Sequence, residues 1–389
     1  MKRNALYLFA VGMLLWSSCH LSDTEQPPDQ TSLPTIPVEP AMDTLPFSAI
    51  MDSVEYLPLE TTPEQLVGTV NGLWVTSDRI WVMDGQQARV AVFDRSGKAL
   101  FTFGGPGKGP GELLKLNSMA VVPALSRVYL TDPGKRIQVF DWQGQWQQEI
   151  VSPFFFKTFT AVTPERFALY TMIDNSGALA EPADLAYNLL LVDTTFQRLQ
   201  GQYLPYTQGF DNIITYNRLS RGPTRTLVTY SLYDTIYQVT AQGVEPAYAL
   251  DFGDHRFDPA QLKQFSPSDI ETLRVHNELI AQGVHFAVDR LFHDEEFLCF
   301  YTSIQGRTRI VLHHVPTETT HCANILHNDF QGPSSIQLVG LFDHRLYFVV
   351  YPYQLHGVDG ESTDVATRDL RARIGPDDNP ILMIGHLSH

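Results

Sequence analysis

Cysteine is scarce, with three in 389 residues. That is too few for a disulfide-framed secreted scaffold, and no Cys-x-x-Cys pair points to a zinc or redox site. Cations are short too: 27 Lys and Arg against 43 Asp and Glu, for a formal charge of −16. A nucleic-acid footprint needs a basic patch or stripe, and adsorption to an anionic bilayer needs basic clusters, so both are excluded. The most apolar run, Ala5–Trp16, falls well below the roughly 20 residues of a membrane-spanning helix. Gly-x-Ser-x-Gly and His-Glu-x-x-His are missing as well. No catalytic motif is written in one stretch, although sites assembled from distant residues leave no such mark.

What is present begins with a processing signal. Lys2 and Arg3 form a positive n-region ahead of the apolar run, and Leu15-Trp-Ser-Ser-Cys19 closes it. That ending resembles the lipobox of bacterial lipoproteins, with Trp16 standing where an aliphatic residue is usual. On this reading residues 1–18 are removed and Cys19 is lipidated. The protein is then held in the cell envelope, on the outer membrane, through that anchor; an ordinary secretory signal with an incidental cysteine is the alternative. Residues 20–46 carry six prolines and no Lys or Arg. That composition predicts that 19–46 is a disordered tether and that the folded domain spans 47–389.

Beyond the tether the chain repeats itself. Arg79-Ile-Trp-Val-Met-Asp84 with Val90-Ala-Val-Phe-Asp-Arg-Ser-Gly97 returns as Arg127-Val-Tyr-Leu-Thr-Asp132 with Ile137-Gln-Val-Phe-Asp-Trp-Gln-Gly144. A self-similar unit of about 40–50 residues, built of short apolar strands and hairpin turns, is the signature of a β-propeller blade. In the first blade strands A to D fall near Leu73–Thr76, Arg79–Asp84, Arg89–Asp94 and Ala99–Phe103. In the second they fall near Met119–Val122, Arg127–Asp132, Arg136–Asp141 and Trp146–Ile150. The Asp-x-x-Gly turns between C and D suit an Asp that bonds its own turn and a Gly at positive φ.

The arginine that opens strand B recurs at Arg166 and Arg345, and further strands at 185–203, 227–252, 297–326 and 337–385 bring the count to six blades. The last blade lacks a strand D. Val54–Leu59 is predicted to supply it, closing the ring beside Pro380–Gly385 and leaving no open sheet edge there. The fold class is therefore all-β, a six-bladed propeller of four-stranded antiparallel blades, expected to be monomeric. Cys299 and Cys322 fall on strands two apart in one blade, about 9–10 Å at the usual strand spacing, which predicts free buried thiols.

The run Val54-Glu-Tyr-Leu-Pro-Leu-Glu-Thr-Thr62, the loop Gly104-Gly-Pro-Gly-Lys-Gly-Pro-Gly-Glu112, Tyr233-Asp-Thr-Ile-Tyr237 and Asp378-Asn-Pro-Ile-Leu382 resemble the six-bladed propeller lipoproteins of Bacteroidota, relatives of NHL-repeat propellers. The resemblance covers about residues 50–387 and implies fold and envelope location. It implies no activity and no catalytic residue.

In a propeller the D–A and B–C connections open on one face and the A–B and C–D turns on the other. The long insertions 171–184, 204–218, 253–292 and 353–379 all fall on the first face, with helix-like spacing in Ser268–Ala281 and Ser362–Arg373. Loops held by a rigid scaffold carry function, so this decorated face is the expected interaction face. Asp84 and Asp132, ending their B strands there, and Lys108 and Glu112 of the glycine loop are the candidate ligand residues. Lys108 is followed by Gly109-Pro110, not by Ser or Thr and a helix, so no phosphate-cradling loop is formed. His313, His314, His321 and His327 lack zinc spacing, and strand alternation sends His313 and His314 to opposite faces. No metal ligand is assigned.

These features predict a non-catalytic module that binds a glycan, a peptide or an envelope protein. The alternative is a lyase or hydrolase of carbohydrates or lactones with an acidic, Ca²⁺-assisted site on the axis. Replacing the lipidated residue, Cys19→Ala, is expected to move the protein from the membrane fraction to the soluble one, read by fractionation and immunoblot.

Overall fold

The computed structural model describes residues 33–132, 134–171, 187–205, 219–230, 233–258, 277–330, 333, 336–356 and 365–388. The first three strands are β1 (Thr35–Pro37), β2 (Met42–Pro46) and β3 (Met51–Pro58). Blade 1 follows as β4 (Gly72–Val75), β5 (Arg79–Asp84), β6 (Arg89–Asp94) and β7 (Ala99–Gly104). Blade 2 is β8 (Ser118–Val122), β9 (Arg127–Thr131), β10 (Gly134–Asp141) and β11 (Trp146–Phe156). Blade 3 is β12 (Thr158–Thr163), β13 (Arg166–Tyr170), β14 (Tyr187–Asp193) and β15 (Leu199–Pro205). Blade 4 is β16 (Leu219–Arg221), β17 (Thr226–Thr229), β18 (Thr235–Val239) and β19 (Val244–Asp251). Blade 5 is β20 (His285–His293), β21 (Phe297–Ile304), β22 (Arg307–His314) and β23 (Thr319–His327). Blade 6 takes β24 (Gln337–Phe342), β25 (Arg345–Val350) and β26 (Ile381–Leu387), with β3 as its fourth strand. The innermost strands touch in a ring, β4 to β8, β12, β16, β20, β24 and back to β4. This is a six-bladed β-propeller.

The predicted closure is present. β3 lies antiparallel to β26, with Pro58 opposite Ile381, Tyr56 opposite Met383 and Val54 opposite Gly385. The core consists of six apolar layers, one between each pair of neighbouring blades. A middle strand is therefore covered on both faces, and Ile80, Trp81, Val82 and Met83 are all buried in one run instead of alternating.

The repeated turn works as its residues dictate. Asp94 Oδ1 accepts the N–H of Ser96 at 2.8 Å and of Lys98 at 3.0 Å, and Asp141 Oδ1 does the same for Gln143 and Gln145. The Ser96 hydroxyl, first, and these N–H groups hold the exposed Asp94 carboxyl below its ordinary range. Gly97 and Gly144 sit at φ 83° and 77°. A Cβ on Gly97 would also stand 2.4 Å from the Pro58 carbonyl oxygen on the closing strand, so glycine is required there twice over.

Three sequence expectations need correction. Residues 33–46 do not belong to a disordered tether: β1 pairs in parallel with β19 and β2 with β23, adding a fifth strand to blades 4 and 5. Proline content hid this, because an edge strand pairs on one side only and tolerates Pro, while Ile36, Val38, Leu45 and Phe47 are each buried at 0–1% exposure. The expected connections 204–218 and 253–292 are partly strand: β15 runs on to Pro205, and β20 occupies His285–His293 as the inner strand of blade 5. Strand D of blade 2 runs on to Phe156 through an irregular register, leaving Lys157 as the single residue between β11 and β12.

Residues 277–281 are helical, and two further helices, α1 (Pro352–His356) and α2 (Val365–Arg373), lie in the B–C connection of blade 6. Residues 1–32, which include the signal and Cys19, and most of the long insertions lie outside the described residues. The strand order nonetheless assigns every long connection to the D–A and B–C face. Cys299 and Cys322 are buried free thiols, and burial pushes both above the ordinary thiol range.

If the N-terminal strands are structural, shortening the chain to begin at Phe47 will lower the Tm and expose β19 and β23 as aggregation-prone edges. Phe47, whose ring lies 5.3 Å from Phe348, is expected to cost about 3–5 kcal/mol on substitution by Ala. Calorimetry and urea unfolding check both; an unchanged Tm on truncation would restore the tether.

Candidate functional site

The inner strands of all six blades surround an axial cavity of about 420 Å³. Its wall is mixed. Leu73, Trp74, Met119, Phe159, Leu291, Phe292, Leu341 and Phe342 supply apolar surface, and the Trp74 and Phe342 rings meet edge to face at 5.7 Å. Ser118, Thr158, Thr160 and Ser220 supply hydroxyls. Among the described residues Lys157 and Arg221 are the charged side chains on its lining, and no described Asp or Glu lines it.

Each polar group is held by the blade repeat. Asn71, Asn117 and Lys157 stand where strand A begins in blades 1, 2 and 3, on the decorated face. Their backbone N–H groups bond to the carbonyls of Met83, Thr131 and Tyr170 at 2.8–2.9 Å. Asn71 Oδ1 accepts the Gly85 N–H at 2.7 Å, and the Asn117 amide donates to the Lys157 carbonyl. Ser118 and Thr158 hydroxyls bond across blades 2 and 3 at 3.1 Å. Arg221 ends β16 and donates to the Ala161 carbonyl on β12, while burial lowers its affinity for the proton below that of a free guanidinium.

Ser220 and His293 join the inner strands of blades 4 and 5. The carbonyl of Arg225 can only accept, so His293 Nε2 carries the hydrogen and donates to it at 3.1 Å. His293 Nδ1 then accepts the Ser220 hydroxyl at 3.0 Å. Burial, the largest effect, and next the Arg225 charge push the ring down to about 3. A base that weak does not withdraw the Ser220 proton near neutral pH, and the pair reads as an inter-blade tie.

The residues singled out from sequence sit elsewhere. Asp84 is fully buried, and its carboxylate accepts the N–H groups of Gly68, Gln86 and Gln87 at 2.7–3.1 Å. Asp132, 4% exposed, pairs with Arg136 at 3.2 Å. Both are occupied in local structure. Glu112 turns back on its own loop to accept the Gly109 N–H at 2.8 Å, and a Cβ on Gly107 would meet its carboxylate at 2.0 Å. Lys108 is exposed at the tip of that loop. None of the four lines the cavity. Arg79 lies over the rings of Trp81, Phe101 and Trp142 and donates to the Trp142 carbonyl, locking two blades together. His313 bonds Thr320 while His314 stacks on Phe297. Among the described residues no group of three His, Cys, Asp or Glu is placed to hold a metal ion.

Sequence reading missed the cavity residues because inner strands are the least repetitive part of each blade. One signal was available: Asn71 and Asn117 precede strand A at the same point of the two clearest repeats.

The buried imidazoles make stability depend on pH. His293 and His285 fall to about 3 and about 4 from 6.5, burial being the main cause of each. The unfolded chain therefore binds their protons first, and folding stability drops as pH falls from about 6.5 towards 4. At full slope each costs about 1.4 kcal/mol per pH unit. Urea unfolding across this range checks it, and His293→Asn is expected to flatten the dependence.

Similarity to known structures agrees with this architecture. A Bacteroides fragilis NCTC 9343 protein described as exported superposes with a TM-score of 0.75 at 16% identity, covering 92% of this chain and 100% of its own. A member of the DUF4221 family from Bacteroides vulgatus superposes at 0.51 with 9% identity, covering 87% of this chain and 97% of its own. At such identities the likeness is one of fold. No curated protein matches the sequence. The model of the domain of unknown function DUF4934 matches residues 33–386, and the chain belongs to that family.

Proposed function

We propose that this chain is an exported, envelope-anchored propeller that acts as a non-catalytic binding module, receiving a ligand in its axial cavity from the decorated face. The observation that carries this reading is the cavity itself, where hydroxyl, amide and cationic groups from separate blades converge on a partly apolar volume of about 420 Å³. Such concave, mostly apolar sites with a few placed polar groups are the usual form of small-ligand pockets. The lipobox-like Cys19 and the exported neighbour from Bacteroides fragilis support an envelope or secreted location. The outer membrane remains part of the proposal, as does a glycan, a peptide or an envelope protein as the natural source of the ligand.

The carbohydrate- or lactone-acting alternative called for three or more carboxylate or histidine side chains converging at the channel mouth. Of these the described lining carries His293 alone, and nothing in it favours that reading.

The test is an array of glycans, peptides and small metabolites probed with the full chain, with and without Ca²⁺. Retained ligands are expected to be lost when Thr158→Trp fills the cavity, with the Tm as a folding control. Binding untouched by that substitution would move the site off the axis. No retention on any array would remove the binding reading.

A further inference from the structure

We infer that the axial cavity takes an organic anion, a carboxylate carried on an apolar or aromatic body, with Arg221 receiving the carboxylate and Lys157 guiding it in. The inference rests on the binding reading above and narrows it to a ligand class.

The composition makes the cavity unusual. Asp and Glu outnumber Lys and Arg by 43 to 27, yet both charged side chains on the described lining are cations. Elsewhere in the fold Arg136 pairs with Glu149 at 2.7 Å, Arg256 with Asp234 at 2.6 Å and Arg309 with Glu39, whereas Arg95 and Arg225 bond neutral oxygens. Arg221 has no carboxylate partner among the described residues. It is half-buried, and it bonds one backbone carbonyl. A partly desolvated guanidinium without a counter-charge leaves an electrostatic cost that an incoming anion offsets, and its planar fork suits a carboxylate.

The remaining wall specifies the rest of the ligand. Hydroxyls of Thr160 and Ser220 lie on the same lining, and the Trp74 and Phe342 pair offers aromatic surface. Arg221 reaches Ala161, four residues along β12 from Lys157, so its guanidinium lies about 13 Å along the strand direction from the Lys157 backbone. Lys157 is exposed, as the single residue linking two strands. It acts at the mouth, where its effect is long-range and screened by salt.

The test titrates phenylacetate, indole-3-acetate and decanoate into the full chain by calorimetry at millimolar concentration, beside the matching neutral amides. The acids are expected to bind and the amides not. Arg221→Gln is expected to weaken the acids by about tenfold or more, and Arg221→Lys, which keeps the charge but loses the fork, to fall between Gln and the native arginine. Lys157→Gln is expected to weaken them by about twofold to fivefold, an effect that fades with added salt. Thermal unfolding verifies that each variant folds. Equal binding of acids and amides, no binding of the acids, or acid binding indifferent to Arg221→Gln would each overturn the inference. A neutral glycan or peptide that binds in the cavity and is displaced by Thr158→Trp would leave the binding module standing while the anion inference fell.

Discussion

The structure depends on closing the ring. Each blade is a four-stranded sheet whose middle strands are apolar on both faces, so a blade is stable only between two others. Six inter-blade layers satisfy that requirement only if the sixth blade meets the first, and the sixth is completed by β3 from the other end of the chain. The Pro58 carbonyl on β3 stands against Gly97 in the turn of blade 1, so the first repeated turn is itself part of the closure.

The N-terminal strands extend the same device. β1 lies on blade 4, β2 on blade 5 and β3 completes blade 6, so residues 35–58 pass along three successive blades before blade 1 begins. It seals the outer layers with Ile36, Val38, Leu45 and Phe47. Each such side chain contributes about 1.5–3 kcal/mol by burial.

The axial cavity is the by-product of six twisted sheets meeting around an axis, and its chemistry is set by a handful of inner-strand residues. Strand A contributes few residues per blade: side chains such as Val75, Val122, Ala161 and Leu338 pack into the inter-blade layers, while Ser118, Thr158 and Ser220 line the axis. The axis-lining residues are free of the packing rules that make strands B and C resemble one another. That freedom explains why Lys157, Arg221, Ser220 and His293 gave no repeating signal. Asp84 and Asp132, by contrast, repeat at the end of strand B, where Asp84 accepts the Gln86 N–H and Asp132 pairs with Arg136.

The sequence alone determined the repeat, the Asp-x-x-Gly turns, the six blades and the closing strand, because these rest on local rules of turn chemistry and apolar runs that each blade states for itself. It also placed the long insertions on one face, since strand order dictates where connections emerge. Only the tertiary structure decided that the proline-rich 33–46 segment is sheet and that the glycine loop closes on Glu112. It alone set two cations without a carboxylate on the described wall of the axis. Apart from the local Gly109–Glu112 bond, those facts depend on partners far apart in the chain, Ile36 on Leu250, Leu45 on Leu326 and Arg221 on Ala161. No local spacing encodes which distant neighbour a side chain will meet.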